Sequence, residues 1–168
     1  MKLRCITITQ PWCGLMVAGI KLIENRPRPI IPDSMFGQPI GFHASRTFDR
    51  AAMRRIIEIE PRLAFDHPES ILLRDGLYDL MHTTSCVIGV GTPFHTLKGW
   101  GETEIREHRD GLREQLGDQL RWFFGPVGHR FRDMRRIAEP VACRGMLGCW
   151  TAPEDVERAV VRQLAVAA

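Results

Sequence analysis

AGIKLIENR, residues 18–26, sets Lys21, Glu24, Asn25 and Arg26 close together, between a short apolar helix and a proline-stiffened segment. A cluster with both signs of charge is either an ordinary solvated turn or the floor of a site for a polar ligand. The flanking chain supplies its geometry. Upstream, LRCITIT alternates apolar and polar side chains from Leu3 to Ile8, the period of a half-buried strand. Thr9 or Gln10 then opens a helix with Pro11 in its first turn. Trp12, Leu15, Met16 and Ile20 form its apolar face and Gly19 marks its end. Lys21 therefore falls just past a helix C-terminus, where the negative end of the macrodipole favours a cation. With residues 22–26 extended, Leu22, Glu24 and Arg26 share one face and Lys21, Ile23 and Asn25 the other, so Glu24 and Arg26 are neighbours able to pair.

Downstream, Pro27, Pro29 and Pro32 predict a stiff, extended connector. PIGFHAS, 39–45, reads as a second strand, followed by a helix from about Phe48 to Ile59 carrying Arg46, Arg50, Arg54 and Arg55 at its start and outer face. Residues 60–82 read as a helical or irregular insertion. SCVIGVGTPF, 85–94, is a valine-rich apolar run, as expected of a central buried strand. From Gly101 to Trp122 the recurrence of Ile105, Leu112, Leu116 and Leu120 predicts an amphipathic helix with a solvated outer face. VGHRFRDMRRI, 127–137, alternates again, with Arg130, Arg132, Met134 and Arg136 on one face and Phe131, Asp133 and Ile137 on the other. A last strand at 144–150 precedes a C-terminal helix over 152–165, with Thr151 and Glu154 in capping-box spacing.

The whole chain, 168 residues with 44% apolar and 26% charged content, reads as a single domain. The formal charge is +3, so the placement of the arginines says more than their total. No run of 18 apolar residues and no signal-peptide pattern occurs, which makes a cytoplasmic protein without membrane contact the expectation. Five cysteines without a CxxC pair read as free thiols. His82 and Cys86 lack a second half-site for zinc, so no metal and no cofactor is expected. No glycine-rich phosphate loop, GxSxG or HExxH is found. Short strands separated by helices of unequal length argue for an α+β architecture around a curved sheet or small barrel.

QPW at 10–12, GIKLIENR at 19–26, HAS at 43–45 and the stretch from Trp122 to Trp150, in this order and at these separations, resemble an ASCH domain, named for activating signal cointegrator homology. The resemblance spans residues 3–150, with 60–82 and a helical insertion near 98–121 as its untypical parts. It implies a PUA-like small mixed β-barrel with helices packed around it, and a cleft beside a GxKxxE element matched here by Gly19, Lys21 and Glu24. It also implies RNA or a nucleotide-like ligand as partner. Similar bacterial amidohydrolases of N4-acetylcytidine use a lysine, a threonine three residues later and a glutamate from a central strand. Here Lys21 matches, Glu24 replaces the threonine, and the run from Cys86 to Trp100 holds no carboxylate.

In that setting Lys21 offers a charge to a phosphate or carbonyl oxygen. Glu24 accepts from an exocyclic amine or holds Lys21 and Arg26, and Asn25 reads a base edge. Trp12 supplies a stacking face or packs the core. His43 and Ser45 lie at a strand end beside the cleft, as ligand contacts or as structural groups. Arg46, Arg50, Arg54, Arg55, Arg130, Arg132 and Arg136 form a footprint for a nucleic-acid backbone if their elements adjoin, and are otherwise solvated surface groups. The first expectation is a binding module for RNA or a nucleotide. The second is a small hydrolase, a ribonuclease or modified-nucleoside amidohydrolase, with Lys21 and Glu24 as its catalytic pair. The third is a protein-interaction adaptor.

Overall fold

The computed structural model describes residues 2–166. Strand β1 (Arg4–Gln10) leads into helix α1 (Trp12–Val17), which is followed by the short strand β2 (Ile23–Arg26). Strand β3 (Ile40–Phe48) precedes helix α2 (Arg50–Ile59), whose first turn is capped by Asp49 accepting from the Ala52 N–H at 3.1 Å. Helix α3 (Leu77–His82) is the one α-helix in the stretch read as an insertion, and strand β4 (Cys86–Leu97) follows it. Helices α4 (Glu102–Glu107) and α5 (Arg109–Leu116), strands β5 (Val127–Ala142) and β6 (Cys149–Thr151), and helix α6 (Glu154–Val166) follow in the described residues. No described helix is long and apolar enough to cross a membrane.

The six strands of the described residues form one mixed sheet in the order β2-β5-β4-β3-β1-β6, parallel only between β1 and β3. The sheet is curled but not closed, which corrects the expected barrel. β2, at one edge, is four residues long and runs into Pro27 and Pro29, which have no N–H to donate to a ladder. Instead of a strand ladder, a side chain spans towards the far edge: Nη2 of Arg26 donates to the Thr7 carbonyl of β1 at 2.6 Å. Part of the curl comes from β5. Between the Thr92–Arg132 and Val90–Arg135 pairings, β5 holds an extra residue, and Asp133 sits there at a φ of +52°. That bulge resets the alternation read across 127–137.

α1 lies directly on the sheet because β4 carries glycine where they touch. A Cβ on Gly89 would stand 2.6 Å from Cγ1 of Val17 and 2.7 Å from the Arg135 carbonyl oxygen. Ile6, Ile8, Met16, Phe42, Ala44 and Phe131 form the apolar layer between them. On the other face Cys5, Val87, Val90 and Trp150 pack under α6. The single amphipathic helix expected over 101–122 is instead broken at His108 and again at Gly117, whose φ is +55°, and a 3-10 turn follows over 117–122. Leu112, Leu116 and Leu120 still face inward, against Ile23, Leu97 and Phe123. The final strand is also shorter than the 144–150 run predicted: 143–148 is a loop with Leu147 99% exposed.

Candidate functional site

β1 and β2 converge with the first half of α2 around a cleft of about 570 Å³, lined among others by Thr9, Trp12, Glu24, Arg26, Arg55 and Phe124. Lys21 lies at its base and is not the solvent-facing point charge expected past a helix end. It is 2% exposed, because the chain turns inward after Gly19, at a φ of +74°, and threads the side chain under Trp12. Its Nζ donates to the Ile23 carbonyl and to Oε2 of Glu24, the latter at 3.2 Å, and lies 5.7 Å from the Trp12 ring centroid. Burial pushes the Lys21 pKa below the usual lysine range, while the Glu24 charge opposes that fall.

Glu24 joins two cations. Its Oε2 faces Lys21 and its Oε1 faces Nε of Arg26 at 2.9 Å, so the pairing of Glu24 with Arg26 expected from alternation is present. The pair is buried on the Glu24 side, with 8% of that side chain exposed, and open on the Arg26 side at 25%. A cation, an anion and a second cation thus run from the interior to the cleft rim, with Thr7 holding the outer end. Asn25 also lines the cleft, and its amide is held by the backbone behind it. Its Nδ2 donates to the Trp122 carbonyl at 2.9 Å, and its Oδ1 accepts from the Phe124 N–H at 2.9 Å. Asn25 therefore pins residues 122–124, and through them the Phe124 ring that lines the cleft.

Trp12 serves both readings offered for it: it lines the cleft and packs edge-on against Trp122 and Phe124, with ring centroids 6.4 and 6.1 Å apart. Across from it the Arg55 guanidinium lies 3.8 Å from the Phe124 ring centroid, a cation–aromatic platform at the mouth. Behind β2, His129 is fully buried opposite Glu24 in the ladder. Its Nε2 accepts from the Ile30 N–H at 3.1 Å, and its Nδ1 lies 2.9 Å from the Thr96 hydroxyl. Burial pushes its pKa down to about 4, so the ring is neutral and ties the proline-stiffened connector to the sheet.

His43 and Ser45 are not brought to this cleft. His43 pairs with Thr7 in the parallel ladder, so it points to the face opposite Ile8 and Ala44. There its Nε2 donates to the Cys143 carbonyl at 3.1 Å and its ring packs edge-on against Trp150. Burial lowers its pKa, which favours the neutral ring. The Ser45 hydroxyl closes a local turn, donating to the Thr47 carbonyl at 2.9 Å. The arginines also separate. Arg46 near the end of β3 and Arg50, Arg54 and Arg55 on α2 are exposed. Arg130 and Arg132 stay together over the Phe94 ring, 4.9 and 5.8 Å from its centroid, whereas Arg136 donates to the Asp75 carbonyl elsewhere on the surface.

The backbone as a whole matches the crystal structure of ASCH from Zymomonas mobilis, with a TM-score of 0.53 at 13% identity, covering 96% of this chain and 94% of that one. The fold is that of an ASCH domain. Two variants of the same Zymomonas protein, one tyrosine-to-phenylalanine and one serine-to-alanine, match at TM-scores of 0.52 and 14% identity. These matches cover 96% of this chain and 98% and 95% of theirs. No protein-family model matches the chain, and no curated protein matches it in sequence.

Within this ASCH fold, the expectations named four cleft-lining residues near the GxKxxE element and Trp12, but missed Thr9, Asp49 and Phe124 and left Arg55 among the surface arginines. Phe124 carried one usable signal: it follows Trp122 and Phe123 at the end of a charged stretch, an aromatic cluster that an outer loop does not need. For Thr9 and Asp49 no local signal exists, since both become cleft residues only through the curl of the sheet.

Proposed function

We propose that this chain binds RNA or a nucleotide and receives one base in the cleft beside Lys21 and Glu24. The observation that carries the reading is the combination of walls and floor in one concavity. Aromatic faces from Trp12 and Phe124 stand above a buried Lys21–Glu24–Arg26 chain, with Arg55 stacked on Phe124 at 3.8 Å. Rings supply faces for a base, Thr9 and the Glu24 edge supply polar contacts, and Arg26 and Arg55 supply charge for a phosphate. A volume of about 570 Å³ suits a ligand of nucleotide size.

Binding is favoured over hydrolysis by the state of Glu24. Its Oε2 accepts from Lys21 and its Oε1 faces Arg26, so each oxygen is fixed beside a cation, which suits a positioned acceptor for a base edge better than a group that carries a proton to and from a substrate. Lys21 and Glu24 act in this reading as a fixed polar floor and not as an acid and base. The test is calorimetric titration of the four ribonucleoside monophosphates into wild type, Arg55→Ala and Phe124→Leu. Loss of one stacked or charge-assisted contact should weaken binding roughly 5- to 150-fold. Absence of binding at millimolar nucleotide, or affinity equal to wild type in both variants, refutes the proposal.

A further inference from the structure

On the side of α2 away from the cleft runs a second concavity of about 450 Å³, and its walls are mainly aromatic and apolar. Four rings stand in series there. Phe65 and Tyr78 are 5.5 Å apart between centroids, Tyr78 and His82 are 4.1 Å apart, and His82 stacks on Phe48 at 4.8 Å with an interplanar angle of 19°. Nδ1 of His82 lies 2.7 Å from the Tyr78 carbonyl oxygen one helical turn back, which fixes that ring within the series. The ladder is not core: Phe65 is 63% exposed and Tyr78 38%. A soluble surface that keeps several rings in contact with one another and with water has a use for their faces.

We infer that this groove is a second base-stacking subsite for single-stranded RNA, continuous with the cleft across the first turns of α2. The inference rests on the proposed reading of the cleft and extends it to a strand that spans both. The helix has the periodicity for this: Ala51, Ala52 and Arg55 face the cleft, Arg50 and Met53 face the groove, and Arg54 stands on the exposed ridge between them. Phe48, at the end of the ladder, is the residue before Asp49, which lines the cleft. Arg46, Arg50, Arg54 and Arg55 are all exposed around this crossing, where the backbone joining two stacked bases has to pass. Asp66 lines the far part of the groove, Asp49 is engaged as the helix cap, and Glu58 lies at the opposite end of α2. Faces of rings recognise faces of bases, which a duplex hides in its stack and a single strand offers, and this selects the single-stranded form.

The test uses 5′-labelled oligouridylate eight nucleotides long, read by fluorescence anisotropy at fixed salt, beside calorimetry with uridine monophosphate. Phe65→Ala is the primary variant because that ring is mostly solvent-exposed, and Tyr78→Ala and Arg50→Ala are the companions, each checked by a thermal melt. The expected result is an octamer affinity lowered roughly 5- to 150-fold in Phe65→Ala, the range of one base–aromatic stack, with mononucleotide affinity unchanged. Octamer affinity equal to wild type in folded Phe65→Ala and Tyr78→Ala overturns the groove and leaves the cleft reading standing. Octamer binding that falls in the groove variants but not in Arg55→Ala or Phe124→Leu keeps the groove and removes the cleft. No octamer binding by wild type, with an apolar fluorescent dye held by the groove and lost in Phe65→Ala, marks a protein-docking face and also overturns the inference.

Discussion

Replacing Lys21 by methionine keeps most of the volume and the stem of the side chain and deletes its charge. The structure makes this an expensive change. Lys21 is 2% exposed and Glu24 is 8% exposed at the side chain, so after the substitution a nearly buried carboxylate keeps Arg26 alone as partner. Breaking a buried pair from one side costs about 3–5 kcal/mol, against ~0–1 kcal/mol for an exposed pair. The remaining Arg26 contact at 2.9 Å argues for the lower end, about 3 kcal/mol. For a chain of 168 residues that is a fall in Tm of roughly 6–12 °C. Adding Glu24→Gln removes the stranded charge, so the double variant should recover at least about 1.5 kcal/mol relative to the sum of the two single variants. Thermal and urea melts of wild type, both single variants and the double variant close the cycle. A Lys21→Met cost below about 1 kcal/mol with additive singles would falsify the buried-floor argument, since it is the behaviour of a solvated pair.

Asn25→Ala should orphan the Phe124 N–H and the Trp122 carbonyl and cost about 1–3 kcal/mol for each group left buried, with nucleotide affinity falling as the Phe124 ring loosens; urea melts paired with titration read both. His129 has a folded pKa pushed down to about 4 from 6.5, so the unfolded chain binds the extra proton between those values. Stability from this group is then full above pH 6.5 and is lost as the pH falls towards 4, by up to about 3 kcal/mol, and His129→Phe should flatten that slope in melts across the range. Arg50, Arg54 and Arg55 replaced together by alanine should reduce the log–log salt slope of single-stranded RNA binding by about 2, at ~0.7 per phosphate contact. The Arg130, Arg132 and Arg136 triple variant should change the slope less, because Arg136 is turned to the Asp75 carbonyl and only Arg130 and Arg132 stay together, over the Phe94 ring.

Much of the chain's order follows from local pattern. The alternation in LRCITIT and the valine-rich run before Phe94 correspond to β1 and β4, and residues 23–26 are extended, with Glu24 and Arg26 side by side as their shared face requires. Periodicity was less informative where the backbone breaks without changing the apolar spacing. The leucines of 112–120 keep one inward face through a helix end at Gly117, so the 3.6-residue pattern does not reveal the break. In β5, Asp133 adds one residue and moves the arginines after it out of the face that strict alternation assigns them.

Local sequence sufficed for what depends on neighbours within one or two turns: the strand and helix types, the charge cluster at 21–26, and the adjacency of Glu24 to Arg26. Tertiary structure alone decided that Lys21 is buried, that Asn25 is spent on the backbone of 122–124, and that His43 faces away from the cleft. It also decided that Thr9, Asp49, Arg55 and Phe124 meet the 21–26 segment at all. The physical reason is that period and propensity are set by steric contacts a few residues apart. Burial, pairing and concavity are set by which distant segments the curled, unclosed sheet brings against one another, and no short window of the chain contains that information.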